Sequence, residues 1–129
     1  MDLFVIAGWV QIGTLALVAL FQLALLLGAP MGEYAFGGTH KGKLPTGFRI
    51  ASLVSIGVYL GIAGHVAAQL GLVQKLLPAG LNAVANWAIV GLMLVSLVMN
   101  AISRSKKERD LWVPVALLLV ASSVIVALG

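Results

Sequence analysis

The sequence lacks cysteine altogether and contains few charged residues. The absence of cysteine excludes disulfides, thiolate metal sites and cysteine nucleophiles. Only 9% of the 129 residues are charged, against about 25% in soluble domains, and this deficit excludes a water-soluble surface for a domain of this size. Hydrophobic residues make up 61% of the chain instead, and its mean hydropathy is +1.10. The length fits a single domain, 1–129, and the composition predicts that this domain lies in a membrane.

Residues that catalyse reactions or bind metals are also scarce. His40 and His65 are the only histidines. His40 lies in the loop before the second helix, and at ~1.5 Å per residue His65 is expected roughly 25 Å along that helix from the same end. The two cannot share a metal or a haem, so we expect no metal and no cofactor. A hydrolase would pair Ser122 or Ser123 with His65, but no acid lies at that depth to orient the histidine. We therefore predict no catalytic residue.

Four apolar stretches are each long enough to cross a bilayer, since a helix needs roughly 20 apolar residues to span about 30 Å of hydrocarbon. Pro114 falls in the first turn of the last stretch, where its missing N–H breaks no helical bond, and Asp110 is placed to cap that helix. The predicted fold class is an all-α membrane protein with four transmembrane helices, at about 3–27, 48–72, 80–102 and 111–128.

Basic residues are concentrated on one side of these helices. The amino terminus shows neither the basic segment nor the small-residue cleavage site of a secretory signal, so we expect the first helix to be retained. Loops 28–47 and 103–110 then share one side, while both termini and loop 73–79 share the other, which carries Lys75 alone. The positive-inside rule therefore predicts that the two long loops are cytoplasmic and that both termini lie outside. The cytoplasmic cations are Lys41, Lys43, Arg49, Arg104, Lys106, Lys107 and Arg109.

These cations predict membrane lipids as partners, because each juxtamembrane Lys or Arg attracts anionic headgroups by about 1 kcal/mol. Nucleic acid is not an expected partner, since the chain offers no soluble basic face with base-stacking aromatics. The predicted headgroup-binding residues are Lys41, Lys43, Arg104, Lys106, Lys107 and Arg109.

The long loop 28–47 contains the segment "GGTHKGKLP", which resembles the start of a nucleotide-binding Walker A loop. Such a loop needs Ser or Thr after its lysine and a β-strand before it. Leu44 occupies the Ser/Thr position and a transmembrane helix precedes, so we expect no nucleotide. The apolar Met31, Tyr34 and Phe36 instead predict a loop that packs back against the cytoplasmic interface. A mobile hairpin is the alternative.

Polar residues near this loop form a candidate cytoplasmic mouth. Glu33 is expected to pair with Arg49 or with a lysine of its own loop, and the functional alternative is a carboxylate that binds a cation or a proton. The mouth residues are Glu33, His40, Arg49 and Asn100.

A second polar group is expected deeper in the bundle, in the outer half of the membrane. At ~1.5 Å per residue, one or two polar residues from each helix reach a similar depth. Polar side chains in hydrocarbon bond to one another, so these are expected to form one hydrogen-bonded layer; a ligand or proton site is the alternative. The layer residues are Gln11, His65, Asn86, Ser122 and Ser123.

Three glycines of the second helix, Gly57, Gly61 and Gly64, are spaced to form one face that allows close approach of another helix. That contact is expected either within the four-helix bundle or between the subunits of a homo-oligomer.

Several short motifs in the loops and at the helix edges carry a family resemblance. They are Gly28-Ala29-Pro30-Met31-Gly32-Glu33, Gly37-Gly38, His40, Leu44-Pro45, Arg49, Ser103, Ser105-Lys106, Glu108 and Pro114. With these, the chain resembles an uncharacterised family of small bacterial integral membrane proteins with four predicted transmembrane helices. The resemblance implies a multi-pass protein of the bacterial plasma (inner) membrane and carries over no catalytic residue.

The leading functional hypothesis is a small polytopic membrane protein that binds or transports a small molecule, a lipid or an ion within its helix bundle. The alternative is a non-catalytic accessory protein that binds a partner or anionic lipid through its basic loops. An enzyme ranks third.

Overall fold

A computed structural model describes all 129 residues, and it contains helices and connections but no strand. The long helices are α1 (Leu3–Leu26), α2 (Thr46–Gln69), α3 (Ala79–Ala101) and α4 (Lys106–Leu128). Two short 3₁₀ turns, Gly32–Tyr34 and Phe36–Gly38, interrupt the connection between α1 and α2. Each long helix is long and apolar enough to cross a membrane. The predicted all-α class with four membrane-spanning helices is confirmed, and the chain is a multi-pass membrane protein.

The largest boundary error is at α4, which begins at Lys106 rather than near 111. Ser105 is its N-cap, since the side chain accepts a hydrogen bond from the backbone N–H of Glu108 at 3.2 Å. The prediction that Asp110 caps this helix is wrong. Asp110 lies within α4 and pairs with Lys106 at 2.8 Å, one helical turn away. A Ser followed three residues later by Glu is itself a helix-start pattern.

The helices pack in the spatial order α2, α1, α4, α3. Helix α1 contacts both α2 and α4 extensively, α3 packs on α4, and α2 and α3 barely contact each other through their backbones. Side chains from all four helices form the main core, which consists of Leu15, Ile62, Val66, Met93 and Leu119. Because α2 and α3 make few backbone contacts with each other, the bundle is less tightly closed on the side between them.

The glycine face of α2 is not used inside this bundle. Gly57, Gly61 and Gly64 are exposed, and a Cβ atom added to any of them would meet nothing within 4 Å. Packing of this face within the four-helix bundle is therefore wrong, because α2 turns other residues toward α1. Contact between subunits of a homo-oligomer stays a prediction.

Residues 27–45 and 102–105 form one end of the bundle, called the basic end below. Here Leu25, Ala35 and Leu44 make a second buried cluster, against which Met31 and Phe36 pack. This arrangement places the loop's apolar side chains against the helices.

Two glycines of the loop allow other parts of the chain to approach closely. The backbone of Gly32 lies against the later part of the loop, and an added Cβ would be 2.1 Å from the carbonyl oxygen of His40. Gly38 has φ +71°, a left-handed conformation that favours glycine, and an added Cβ would lie 2.5 Å from Cβ of Ser105. The loop therefore lies directly on the start of α4.

Candidate functional site

The main cavity lies between the helices, in the half of the bundle nearest the basic end. Its volume is about 290 Å³, close to the lower limit of roughly 300 Å³ for ligand pockets. All four helices and the loop turns line it, and most lining residues are hydrophobic. The cavity lies where α2 and α3 make few backbone contacts with each other, and α1 and α4 supply much of its lining.

The cavity opens sideways, between α2 and α3. Val54 and Val58 on α2 line it, yet they are 62% and 44% exposed, and Leu92 on α3 is 44% exposed. Side chains that line a cavity and are also exposed mark its rim. Both rims belong to membrane-spanning helices, so the opening faces the region that the hydrocarbon of a bilayer would occupy.

Aromatic side chains form much of the inner wall. Phe21 of α1 and Trp112 of α4 pack with ring centroids 4.7 Å apart, and Tyr34 and Phe36 close the cavity from the loop. Tyr59 of α2 lines the opposite wall. Rings of this kind give a ligand apolar contact and negatively charged π-faces.

A few polar groups converge on this apolar space. Ser55 donates to the carbonyl of Ala51, and Asn100 donates to the carbonyl of Ser96 at 2.8 Å, so these side chains already have partners in their own helices. Gln22 differs, because its buried Oε1 accepts no hydrogen bond. A buried polar atom without a partner is uncommon in proteins, and Gln22 is one of the few polar residues that line the cavity.

Glu108 is the acid of this site. It lines the cavity from the first turn of α4 and is only 6% exposed. Its Oε2 accepts a hydrogen bond from the backbone N–H of Gly37 at 3.0 Å. It takes part in neither of the two salt bridges of the chain.

The loop that closes the cavity is held to α4 by further bonds. Ser105 donates to the carbonyl of Glu33, and the Trp112 indole N–H donates to the carbonyl of Tyr34 at 2.7 Å. The Glu33 side chain also forms an ion pair with Lys107. The hydrogen bond from Lys107 holds the pKa of the Glu33 carboxyl below its ordinary value of 4.5.

The predicted partner of Glu33 at the cytoplasmic mouth needs correction. Glu33 does not pair with Arg49 or with a lysine of its own loop, because α4 brings Lys107 closer. Arg49 instead donates from Nε to the carbonyl of Leu26 at 2.9 Å, where it satisfies an otherwise free carbonyl at the end of α1.

The other two mouth residues lie apart from each other. His40 packs its ring against Phe48, with centroids 4.9 Å apart, and contacts Thr39. Asn100 lines the main cavity, whereas His40 does not. The four predicted mouth residues therefore do not form one group.

The predicted polar layer consists of two separate pairs. Gln11 donates to Ser123 at 2.9 Å, joining α1 to α4, and His65 and Asn86 bond at 2.7 Å, joining α2 to α3. Ser122 is buried and donates to the carbonyl of Leu119 in its own helix. No hydrogen bond links the two pairs, and a single layer shared by all four helices stays a prediction. Its residues do not line the main cavity.

The α2–α3 pair has a neighbour that sequence reasoning missed. Gln69 and Asn82 exchange two hydrogen bonds, of 2.9 and 2.7 Å, near the short connection between these helices. Together with the His65–Asn86 bond, they hold α2 and α3 together at the end opposite the cavity.

The predicted headgroup-binding cations are divided between two environments. Lys41, Arg104, Lys106 and Lys107 line a shallow depression of about 480 Å³ that has no hydrophobic lining residue and also contains Glu33. Lys43 is exposed outside it, and Arg109 donates to the carbonyl of Ser103.

Sequence reasoning missed the cavity residues, above all Glu108 and Trp112. One signal was present: Glu108, Trp112, Val115 and Leu119 are spaced by four, three and four residues, which places them on one face of a helix. Comparison of the chain with protein-family models, curated proteins and solved structures found no match. The family resemblance stays a prediction, and the membrane assignment depends on the four apolar helices.

Proposed function

We propose that this protein binds a small amphipathic molecule in the cavity between its helices, and that the molecule enters from the bilayer between α2 and α3. The observation that supports this most is the sideways opening of an apolar cavity whose wall contains a few polar groups. Ligand sites generally combine a hydrophobic lining with a small number of placed polar groups.

The arrangement of the helices supports a stable opening. Gln69 with Asn82, and His65 with Asn86, fasten α2 to α3 at one end only. At the basic end, no hydrogen bond between side chains of α2 and α3 is present, and residues of the loop turns and of α4 line the cavity. Gln22 and Asn100 place polar side chains among the mainly hydrophobic residues of the wall.

The proposal keeps the orientation expected from the basic loops, in which the basic end lies on the cytoplasmic side of a bacterial plasma membrane. Binding is the activity that the cavity supports. Transport would further require that the ligand leave on a second side, and the closed loop at the basic end is the segment that would have to move.

A cavity-filling variant tests the proposal. Purified protein in mild detergent is titrated with neopentylbenzene, an uncharged probe. The change in Trp112 emission is followed after Trp9 and Trp87 are replaced by Phe. Ser96→Phe should weaken binding at least tenfold, because Ser96 lines the cavity. Val98→Phe, on the exposed side of the same helix, should leave it unchanged. Absence of saturable binding to the parent protein, both of this probe and of its cationic isostere benzyltrimethylammonium, would contradict the proposal.

A second candidate function rests on the basic depression, whose four cations suit the phosphate of an anionic lipid. Native mass spectrometry in mild detergent should then show retained phosphatidylglycerol, and replacement of Lys41 and Arg104 by Gln should reduce it. Lys75→Gln, at the opposite end, is the matched control. Equal retention in all three proteins would exclude this candidate.

A further inference from the structure

We propose that the cavity selects a cation, an organic amine or quaternary ammonium with an apolar body, and that Glu108 is its counter-ion. This inference rests on the proposed function and adds the chemical class of the ligand. The observation that leads to it is a carboxylate that is buried, lines the cavity and has no cationic partner.

The lack of a partner is not due to a shortage of cations. Lys106, Lys107 and Arg109 all lie within two residues of Glu108 in the sequence. Each is engaged elsewhere: Lys106 with Asp110, Lys107 with Glu33, and Arg109 with the carbonyl of Ser103. The acid is therefore buried in a turn whose three bases all point to other groups.

A buried carboxylate in this state is energetically unusual, because buried charges in proteins are normally paired or bind a ligand. The single N–H of Gly37 satisfies Oε2, but no group of the protein donates to Oε1. Oε1 is not enclosed by protein atoms either, and Glu108 lines the cavity. Under this proposal Oε1 is the oxygen that contacts the bound molecule.

The surrounding side chains suit an organic cation better than a metal ion. Metal ions require several oxygen or nitrogen ligands, and no group of three His, Cys, Asp or Glu lies together in this structure. Phe36 and Trp112 line the cavity with Glu108, and aromatic faces attract ammonium groups once both are removed from water. Trp112 lies one helical turn from Glu108, on the same face of α4.

Isosteric probes test the inference. Benzyltrimethylammonium and neopentylbenzene have the same shape and differ in one positive charge, since nitrogen in the first replaces carbon in the second. In Glu108→Gln, the Kd of the cation should rise at least tenfold, equivalent to about 1.4 kcal/mol. The Kd of neopentylbenzene should change less than about twofold, because the apolar walls are intact.

The glutamine variant is chosen because its carbonyl oxygen can still accept from Gly37, so the loop contact is kept. Asp110→Asn removes the same charge from the same helix, but at an exposed site already paired with Lys106. It should leave both Kd values unchanged, which separates the effect of Glu108 from a general change in surface charge.

The possible results distinguish the inference from the function on which it rests. Equal weakening of both probes in Glu108→Gln, or weakening of neither, would overturn the choice of a cation and leave the binding cavity in place. Failure of both probes to bind the parent protein would overturn both. Because Glu108→Gln could unfold the loop, the parent protein is also titrated with benzylphosphonate. Binding of this anion as tight as that of the cation would overturn the inference and favour an anionic lipid.

Discussion

The contact between Trp112 and the loop offers a sharp test of how the cavity is closed. The indole N–H of Trp112 donates to the carbonyl of Tyr34 at 2.7 Å, while its ring packs on Phe21. Trp112→Phe removes the N–H but keeps an aromatic ring beside Phe21. The variant therefore removes one hydrogen bond between α4 and the loop and disturbs the helix packing little.

The size of the effect follows from the place of this bond. A protein hydrogen bond contributes about 0.5–1.5 kcal/mol net to stability, and water can reach the partly buried Tyr34 carbonyl once the loop moves. Because Ser105 and Glu108 continue to hold the loop, we expect local opening to become easier by about 1 kcal/mol. A free-energy change of about 1.4 kcal/mol changes an equilibrium constant tenfold. A change of about 1 kcal/mol should therefore raise the open population about fivefold.

Hydrogen–deuterium exchange followed by mass spectrometry measures this opening. Peptides covering 31–40 should exchange about fivefold faster in Trp112→Phe, whereas peptides from the middle of α1 should not change. Trp87→Phe is the control, because Trp87 is exposed on α3 and makes no side-chain hydrogen bond. Unchanged exchange in Trp112→Phe, or maximal exchange already in the parent protein, would refute the idea that this bond holds the loop closed.

Two further predictions concern orientation and the interior. Single cysteines at Thr39 and Lys106 should resist a membrane-impermeant thiol reagent in intact cells, while one at Gln74 should react. The reason is that the positive-inside rule predicts a cytoplasmic basic end. The reverse labelling would overturn the topology. Ser123→Ala should lower the free energy of unfolding by about 0.6–1.7 kcal/mol, since it deprives the buried Gln11 amide of its partner. Adding Gln11→Leu should restore most of the loss, because the pair is then replaced by apolar groups, and a double variant less stable than Ser123→Ala would contradict this.

The number and approximate bounds of the helices were predictable from the sequence, because length and hydropathy suffice to identify a membrane span. The start of α4 was missed because its first turn is charged and falls outside any hydropathy window. The pattern Ser105 to Glu108 would have located it.

The depths of the polar residues were also predictable, but their partners were not. Gln11 and His65 do bond to helices at matching depth. Depth follows from counting residues along a helix, whereas the partner depends on which helices are neighbours and on how each is rotated. Hydrophobic periodicity normally gives that rotation, and in helices that are apolar on every side it gives very little.

Glu108 was the hardest residue to identify, because in the segment "SRSKKERD" it looks like one charge of a solvated basic loop. Its burial depends on Gly37 and Phe36, which lie about seventy residues earlier in the chain and fold over it. No local pattern in α4 contains that information.

The loop and the α2–α3 opening together determine which solvent can reach the cavity. The loop covers the basic end and is fastened through Ser105, Glu108 and Trp112, while the opposite end is closed by the polar pairs between α2 and α3. The exposed residues that line the cavity, Val54, Val58 and Leu92, all lie on α2 and α3. Under the proposed function, a ligand that partitions into lipid would therefore reach Glu108 without the loop moving. Exchange of that ligand with water at the basic end would require the α4 contacts to break. The same contacts that place Gly37 on Glu108 would therefore decide whether bound ligand can pass to the aqueous side.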